Sequence, residues 1–191
     1  MDENKRCSWC GVDPLYVAYH DEEWGIPIRD PRALYELLML EAFQAGLSWY
    51  TILKKRPSFR KAFHGFAPEK VAAFDEADIE RLLADAGIIR HRGKIEAAIA
   101  GARAWQRLEA EGGFSTFIWD FVDGSPLQNG RRTMADVPAE TPLSRKLSKA
   151  LKAEGFKFCG PTITYAFMQA AGLVNDHMVD CPRHAAVGAM A

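Results

Sequence analysis

Glu41 stands where a helix-spaced apolar series should continue. Leu34, Leu37 and Leu38 recur on one face, and Glu41 is the next place on it. Burying an unpaired carboxylate costs several kcal/mol by order of magnitude. A ligand that supplies donors would offset that cost, and a flat base with an exocyclic amino group is one. Tyr16, Tyr19 and His20 share a helix face, and Trp9, Trp24 and Trp49 lie near the same N-terminal elements. Stacking a base on such rings contributes about 1–3 kcal/mol. The bland readings stay open at this point. Aromatic stripes are commonly core, and Glu41 could pair with an arginine or cap a neighbouring helix.

A second constellation lies at the two ends of the chain. Cys7 and His20 are separated by twelve residues, and His177 and Cys181 form a His-x3-Cys pair. Two thiolates and two imidazoles would close a tetrahedral zinc site with no position left for activated water, so its role would be structural. Spacing alone leaves plain burial open, because these pairs match no standard finger, and Cys10 could replace Cys7 or His20 as a ligand. His20-Asp21-Glu22 superficially fits the His-x-Glu of zinc deaminases, but the companion Pro-Cys-x-x-Cys is missing.

The third is a hairpin, Ala86-Gly87-Ile88-Ile89-Arg90-His91-Arg92-Gly93-Lys94, between two amphipathic segments. Glycines bracket the turn, and basic residues stand where the second helix begins. Backbone N–H groups there can hold a phosphate, with Arg90, Arg92 and Lys94 adding charge. The same stretch also fits an ordinary antiparallel helix turn. Further basic clusters occur at Lys54, Lys55, Arg56, Arg60 and Lys61 and at Lys146, Lys149 and Lys152, although the formal net charge is only −1. A nucleic-acid partner would therefore be held by local clusters, not by global attraction.

The elements that must position these residues read as helices. Asp13-Pro14 and Asp30-Pro31 each pair an N-cap with a first-turn proline, opening helices to about His20 and, from about Arg32, to Ala45. Further helices are expected near 68–74, from a cap at Asp78 with Ile79, Leu82 and Leu83 on one face, along Ile95 to Ala102, over Phe114–Val122, from Thr141-Pro142 to near Gly155, and from Gly160-Pro161 to Gly172. Alternating strand patterns are scarce, so the fold class is all-α, with 124–140 as the longest loop. The 191 residues suit one compact unit of two helical lobes, and no apolar run reaches membrane-spanning length. The polar first residues lack the apolar core of a secretion signal, and a cytoplasmic location follows as the default.

Four blocks carry a family resemblance: Asp13 to Gly25, Gln44-Ala45-Gly46-Leu47-Ser48-Trp49, Asp85 to Ile95, and Gly172-Leu173-Val174-Asn175-Asp176-His177. In order and spacing the chain resembles the DNA-3-methyladenine glycosylase I family from Cys7 to Cys181. The resemblance implies a helix-hairpin-helix DNA glycosylase fold with its hairpin motif at about 79–104. It implies a structural zinc on Cys7, His20, His177 and Cys181, joining segments 7–20 and 177–181, without Cys10. It implies a base pocket of Glu41, Tyr16, Tyr19, Trp9 and Trp49, with Gly46 and Leu47 in the loop that fills the gap left by an extruded nucleotide, and Gly87, Arg90, Arg92, Gly93 and Lys94 on the DNA backbone. The implied activity is monomeric excision of N3-methyladenine from alkylated double-stranded DNA, releasing the free base without a lyase step. The family commonly has valine and threonine where this chain has Cys159 and Pro161, and both changes suit packing and a helix start.

Related glycosylases place an aspartate beyond the second hairpin helix, whereas Gly112 to Phe117 here holds no carboxylate. Alkylation at N3 already makes adenine a cationic leaving group, so no general acid is required. Glu41 is then the expected catalytic and selective group. A DNA-binding module without a pocket, a glycosylase of other alkylated purines and a metal-dependent hydrolase are the rival readings.

Overall fold

A computed structural model describes residues 6–190. Residues 1–5 and 191, which enter the location and domain expectations, lie outside it. The order of helices is α1 (Pro14–Glu22), α2 (Pro31–Gln44), α3 (Trp49–Ala62), α4 (Pro68–Val71), α5 (Glu76–Ala84), α6 (Arg92–Glu111), α7 (Phe114–Trp119), α8 (Pro142–Ala153), α9 (Pro161–Ala170) and α10 (Pro182–Gly188). The all-α expectation holds with one addition. Leu127–Gln128 (β1) and Val174–Asn175 (β2) form a two-residue parallel pair. It fastens the long loop 124–140 to the segment that leads into His177.

Helix α2 is the centre of the molecule. Asp30 caps it by accepting from Ala33 N at 2.8 Å, and every residue from Leu37 to Phe43 is buried. It packs on α3, α6 and α9. One contiguous apolar core runs through these helices and includes Leu38, Phe43, Phe59, Phe63, Ile95 and Phe167. Burial around the whole helix is why Glu41 has no solvent face to turn to.

The helix α3 was not among the expected elements. Its run Lys54-Lys55-Arg56-Pro57 shows a weak apolar stripe and an internal proline, yet Ile52, Leu53, Phe59 and Ala62 are buried and Ser48 caps it through Thr51 N at 3.2 Å. The cap expected at Asp78 is a correction. Asp75 is the N-cap, and Asp78 sits three residues inside as its reciprocal partner, so α5 begins earlier. The short helix expected over 68–74 ends at Val71, and the aromatic one splits into α7 and a 3-10 turn, Asp120–Val122.

Gly172 explains how the chain ends meet. It has φ +73°, and a Cβ there would lie 2.5 Å from Pro27 N and 2.7 Å from Gly25 O. Only glycine lets the end of α9 touch the segment after α1. Ile28 N donates to Ala171 O at 3.0 Å across this contact, which brings α1 beside His177.

Candidate active site and metal centre

Helix α1 presents two faces to two sites. Asp13 accepts from Leu15 N and Tyr16 N, and Pro14 occupies the first turn, which fixes the helix start. From that start, Tyr16 and Tyr19 face a cavity and His20 faces the cysteines.

The cavity is about 210 Å³ and is lined by Trp9, Tyr16, Tyr19, Trp24, Trp49, Glu41, Gln44, Gln169, Asp176, Met134, Val137, Ala166 and Met178. A single water needs only about 10–15 Å³ of such space, so the cavity has room for a flat bicyclic group. Its rings hold one another in place. Trp9 lies edge-on to Tyr16 at 5.1 Å and to Trp24 at 4.9 Å, and Tyr19 meets Trp49 at 5.4 Å.

Glu41 projects from the last turn of α2 into this ring-walled space and is 3% exposed. Its Oε2 has no hydrogen-bond partner among the described residues. Among the described residues no arginine neutralises it and it caps no helix. Burial pushes its carboxyl up to about 8, and the negative end of the α2 dipole acts in the same direction. Three more buried polar atoms without partners, Trp9 Nε1, Trp49 Nε1 and Gln44 Oε1, belong to residues lining the same cavity. Native interiors rarely leave such groups unmade. Two donors and two acceptors without partners among the described residues line this one cavity, as a site for a polar ligand would have them.

Asp176 also lines the cavity and is the opposite case. It accepts from Asn129 Nδ2 at 2.7 Å, Arg131 Nε at 3.2 Å, Tyr165 Oη at 2.5 Å and Gln169 Nε2 at 2.8 Å. Fully partnered, it braces the 124–140 loop against α9. Gln44, Gln169 and Asp176 were not among the expected site residues, and Trp24 was expected only as a ring near the same elements. Gln44 and Asp176 fall inside the Gln44–Trp49 and Gly172–His177 blocks, which was the available signal. Gln169 carried none.

The four terminal residues come together. The donor atoms of Cys7, His20, His177 and Cys181 all lie within 4.8 Å of one another, and all four residues are buried. Cys7 Sγ is 3.7 Å from His177 Nδ1, and Cys181 Sγ is 3.7 Å from His20 Nε2 and 3.8 Å from His177 Nδ1. Metal–ligand bonds of about 2.0–2.3 Å give a tetrahedron with edges of roughly 3.5 Å, so the cluster fits one metal ion. The remaining ring nitrogens are engaged, as ligating imidazoles require. His20 Nδ1 pairs with Asp21 Oδ1 at 2.8 Å, and His177 Nε2 donates to Trp24 O at 3.0 Å. The Cys181 thiol is held below the usual thiol range, first by the hydrogen bond from Cys7 and then by His177 and His20, against burial. Cys7 is pushed up by that same pairing and by burial. Cys10 is not in the cluster; its Sγ donates to Cys7 O at 3.2 Å.

The hairpin lies between α5 and α6, over residues 85–91. Arg90 is exposed and in no ion pair among the described residues, and Leu47 is exposed on the loop after α2. Three residues expected on the DNA backbone have other partners. Arg92 pairs with Glu76 at 2.7 Å and with Glu80. Gly87 N donates to Asp85 Oδ1 at 2.7 Å. Lys94 does not stand on the surface. It is 7% exposed and its Nζ donates to Phe43 O and Ala45 O. Gly93 keeps the first turn of α6 narrow, since a Cβ there would come within 3.2 Å of the His91 ring.

No helix among the described residues is long and apolar enough to cross a membrane. Comparison with known proteins gives one consistent result. The methyladenine glycosylase family profile matches residues 9–184. DNA-3-methyladenine glycosylase 1 of Escherichia coli (strain K12) is 56% identical over 178 residues, 93% of this chain and 95% of that one. A crystal structure of 3-methyladenine DNA glycosylase I superposes with a TM-score of 0.91 at 55% identity, covering 93% of this chain and 98% of the other. A variant of 3-methyladenine DNA glycosylase I in complex with 3-methyladenine gives 0.90 at 42% identity, covering 93% and 96%.

Proposed function

The chain belongs to the methyladenine glycosylase family, and from that premise we propose that it hydrolyses the N-glycosidic bond of N3-methyladenine in alkylated double-stranded DNA. The observation that carries the reading is Glu41, a buried acceptor without a partner inside a ring-walled cavity. The damaged nucleotide leaves the stack, at a few kcal/mol, and its base enters between the aromatic side chains. Glu41 accepts from the adenine amino group and favours the cationic ring. Guanine presents a carbonyl there, lone pair to lone pair, and is rejected. Because the N3-alkylated base leaves without protonation, no general acid is needed. Among the described residues the cavity lining contains no lysine that could form a Schiff base, which supports a hydrolytic, monofunctional reaction. Leu47, exposed beside the cavity, fills the gap in the duplex, and Arg90 meets the backbone. Two thiolates and two imidazoles suit zinc; on Cys7, His20, His177 and Cys181 it supplies structure, since four protein ligands leave no open position.

The direct test is to incubate the protein with methylated duplex DNA and chromatograph the released bases. 3-Methyladenine should appear and 7-methylguanine should stay in the polymer. Release of both would move the reading to a broader alkylpurine glycosylase, and release of neither would end it.

The raised carboxyl adds a pH dependence. In the empty cavity Glu41 is mostly protonated at neutral pH, because burial holds it at about 8. A fixed cation is best received by the ionised form. The excision kcat/KM should therefore rise by about tenfold per pH unit below that value and level above it. A flat profile from pH 6 to 9 would contradict this role for the carboxylate.

A further inference from the structure

Lys94 has the sequence context of a phosphate ligand and the surroundings of a clamp. It lies in the first turn of α6, directly after the hairpin, with its side chain buried. Its Nζ donates to Phe43 O at 2.8 Å and to Ala45 O at 2.6 Å. Those carbonyls belong to the end of α2, the helix that carries Glu41, where carbonyls lack intrahelical partners and carry partial negative charge. Immediately beyond, Gly46 turns the chain at φ +80° and Leu47 emerges 43% exposed. A second lysine closes the other side. Lys55, on the α3 that follows this loop, reaches back with Nζ to Ala86 O at 2.9 Å and Gly87 O at 3.3 Å in the hairpin. The Gly46–Ser48 loop is thus held between two lysine-to-carbonyl bridges, one from the hairpin and one to it.

From this arrangement we infer that Lys94 is a positioning residue: it locks the exposed Leu47 loop to the DNA-facing hairpin so that the two engage the duplex as one rigid unit. The inference rests on the glycosylase reading above and replaces the expected backbone-binding role of Lys94. A clamp and a phosphate ligand make different predictions. Removing a lysine that neutralises one phosphate lowers the slope of log K against log[salt] by about 1, whereas removing an internal clamp leaves the slope unchanged. A clamp acting through the loop also has no effect once the loop has no wedge to place.

The experiment uses Lys94→Met, which keeps the stem and removes the ammonium. Excision from methylated duplex should fall by about tenfold or more, since small displacements of positioned groups carry losses of that size. Quenching of tryptophan fluorescence by free 3-methyladenine should stay as in the unsubstituted chain, and so should the salt slope of DNA binding. In a Leu47→Ala background, Lys94→Met should change excision by less than about threefold. A slope shallower by about one, or effects that multiply independently of Leu47, would overturn the inference. Should Lys94→Met not fold, Lys55→Met, altered at a half-exposed position, decides by the same two criteria. Failure of the glycosylase reading would show separately, as no 3-methyladenine released by the unsubstituted chain.

Discussion

Glu41→Gln should lower excision of 3-methyladenine by about two to three orders of magnitude, from the loss of a charge-assisted hydrogen bond and of the attraction to the cation, each 1.36 kcal/mol being tenfold. The same change should raise the melting temperature. Glutamine keeps the shape and one acceptor, yet replaces the second carboxylate oxygen by an amide N–H₂ and carries no charge. The stability gain follows from linkage. The folded carboxyl sits at about 8 against an ordinary 4.5, so folding takes up a proton between those values. Stability from this group is fully present below about pH 4.5 and is lost as pH rises through about 8. The melting-temperature advantage of the variant should therefore be nil near pH 4, grow through neutrality and level off above pH 8, reaching about 10 °C at roughly 2–4 °C per kcal/mol. Single-turnover excision and thermal scans over that range check both halves. A variant as active as the parent would remove Glu41 from its role. A variant that gains nothing in stability at pH 8 would mean that the carboxylate already has a partner.

Glu41 was legible because its neighbours Leu34, Leu37 and Leu38 declare the face on which it lies; whether it paired with an arginine or capped a helix was not, since that depends on what other segments bring beside it. The terminal cysteines and histidines were legible as the four candidate ligands that the structure brings together, with only Cys10 left open by spacing. Their meeting depends on Gly172 passing against Gly25 and Pro27, a contact between segments far apart in the chain. Basic residues were the least readable. Lys94, Arg92 and Lys55 look like solvated cations in sequence, and each has an internal partner: α2 carbonyls, the α5 carboxylates and hairpin carbonyls. A long side chain can bury its stem and reach a helix end that sequence does not place beside it. A different limit hid α3, whose buried residues Trp49, Ile52, Leu53, Phe59 and Ala62 are interrupted by the basic run and Pro57. Gln169 was hidden as the lysines were: it enters the cavity only because the partnered Asp176 holds it there.

Stripping the zinc proposed for the Cys7, His20, His177 and Cys181 cluster should cost at least about 10 °C of melting temperature, given about 2–4 °C per kcal/mol for a chain of this size, and it should also blind the cavity to its ligand. Structural zinc contributes about 10–16 kcal/mol in peptides that have no other core. Here the contiguous core of α2, α3, α6 and α9 survives without it, so the loss is smaller and falls on the chain ends. Those ends build one wall of the cavity. The Trp9 ring lies 5.3 Å from the His20 ring, Trp24 lies 4.6 Å from His177 and accepts from its Nε2, and Met178 N donates to Cys7 Sγ at 3.3 Å. Without the ion, two thiols and two imidazoles remain buried close together, with lone pairs opposed and sulfur charge uncompensated. The segments before α1 and after β2 then separate, taking Trp9, Trp24 and Met178 out of the wall. Elemental analysis should give one zinc per chain, and chelation should lower the melting temperature and abolish tryptophan quenching by 3-methyladenine together. Cys181→Ser should reproduce both effects, while Cys10→Ser, outside the cluster, should retain the metal. A chelated protein that kept its melting temperature would show that packing alone holds the ends. One that lost stability but still bound the free base would show that the cavity wall stands without the metal.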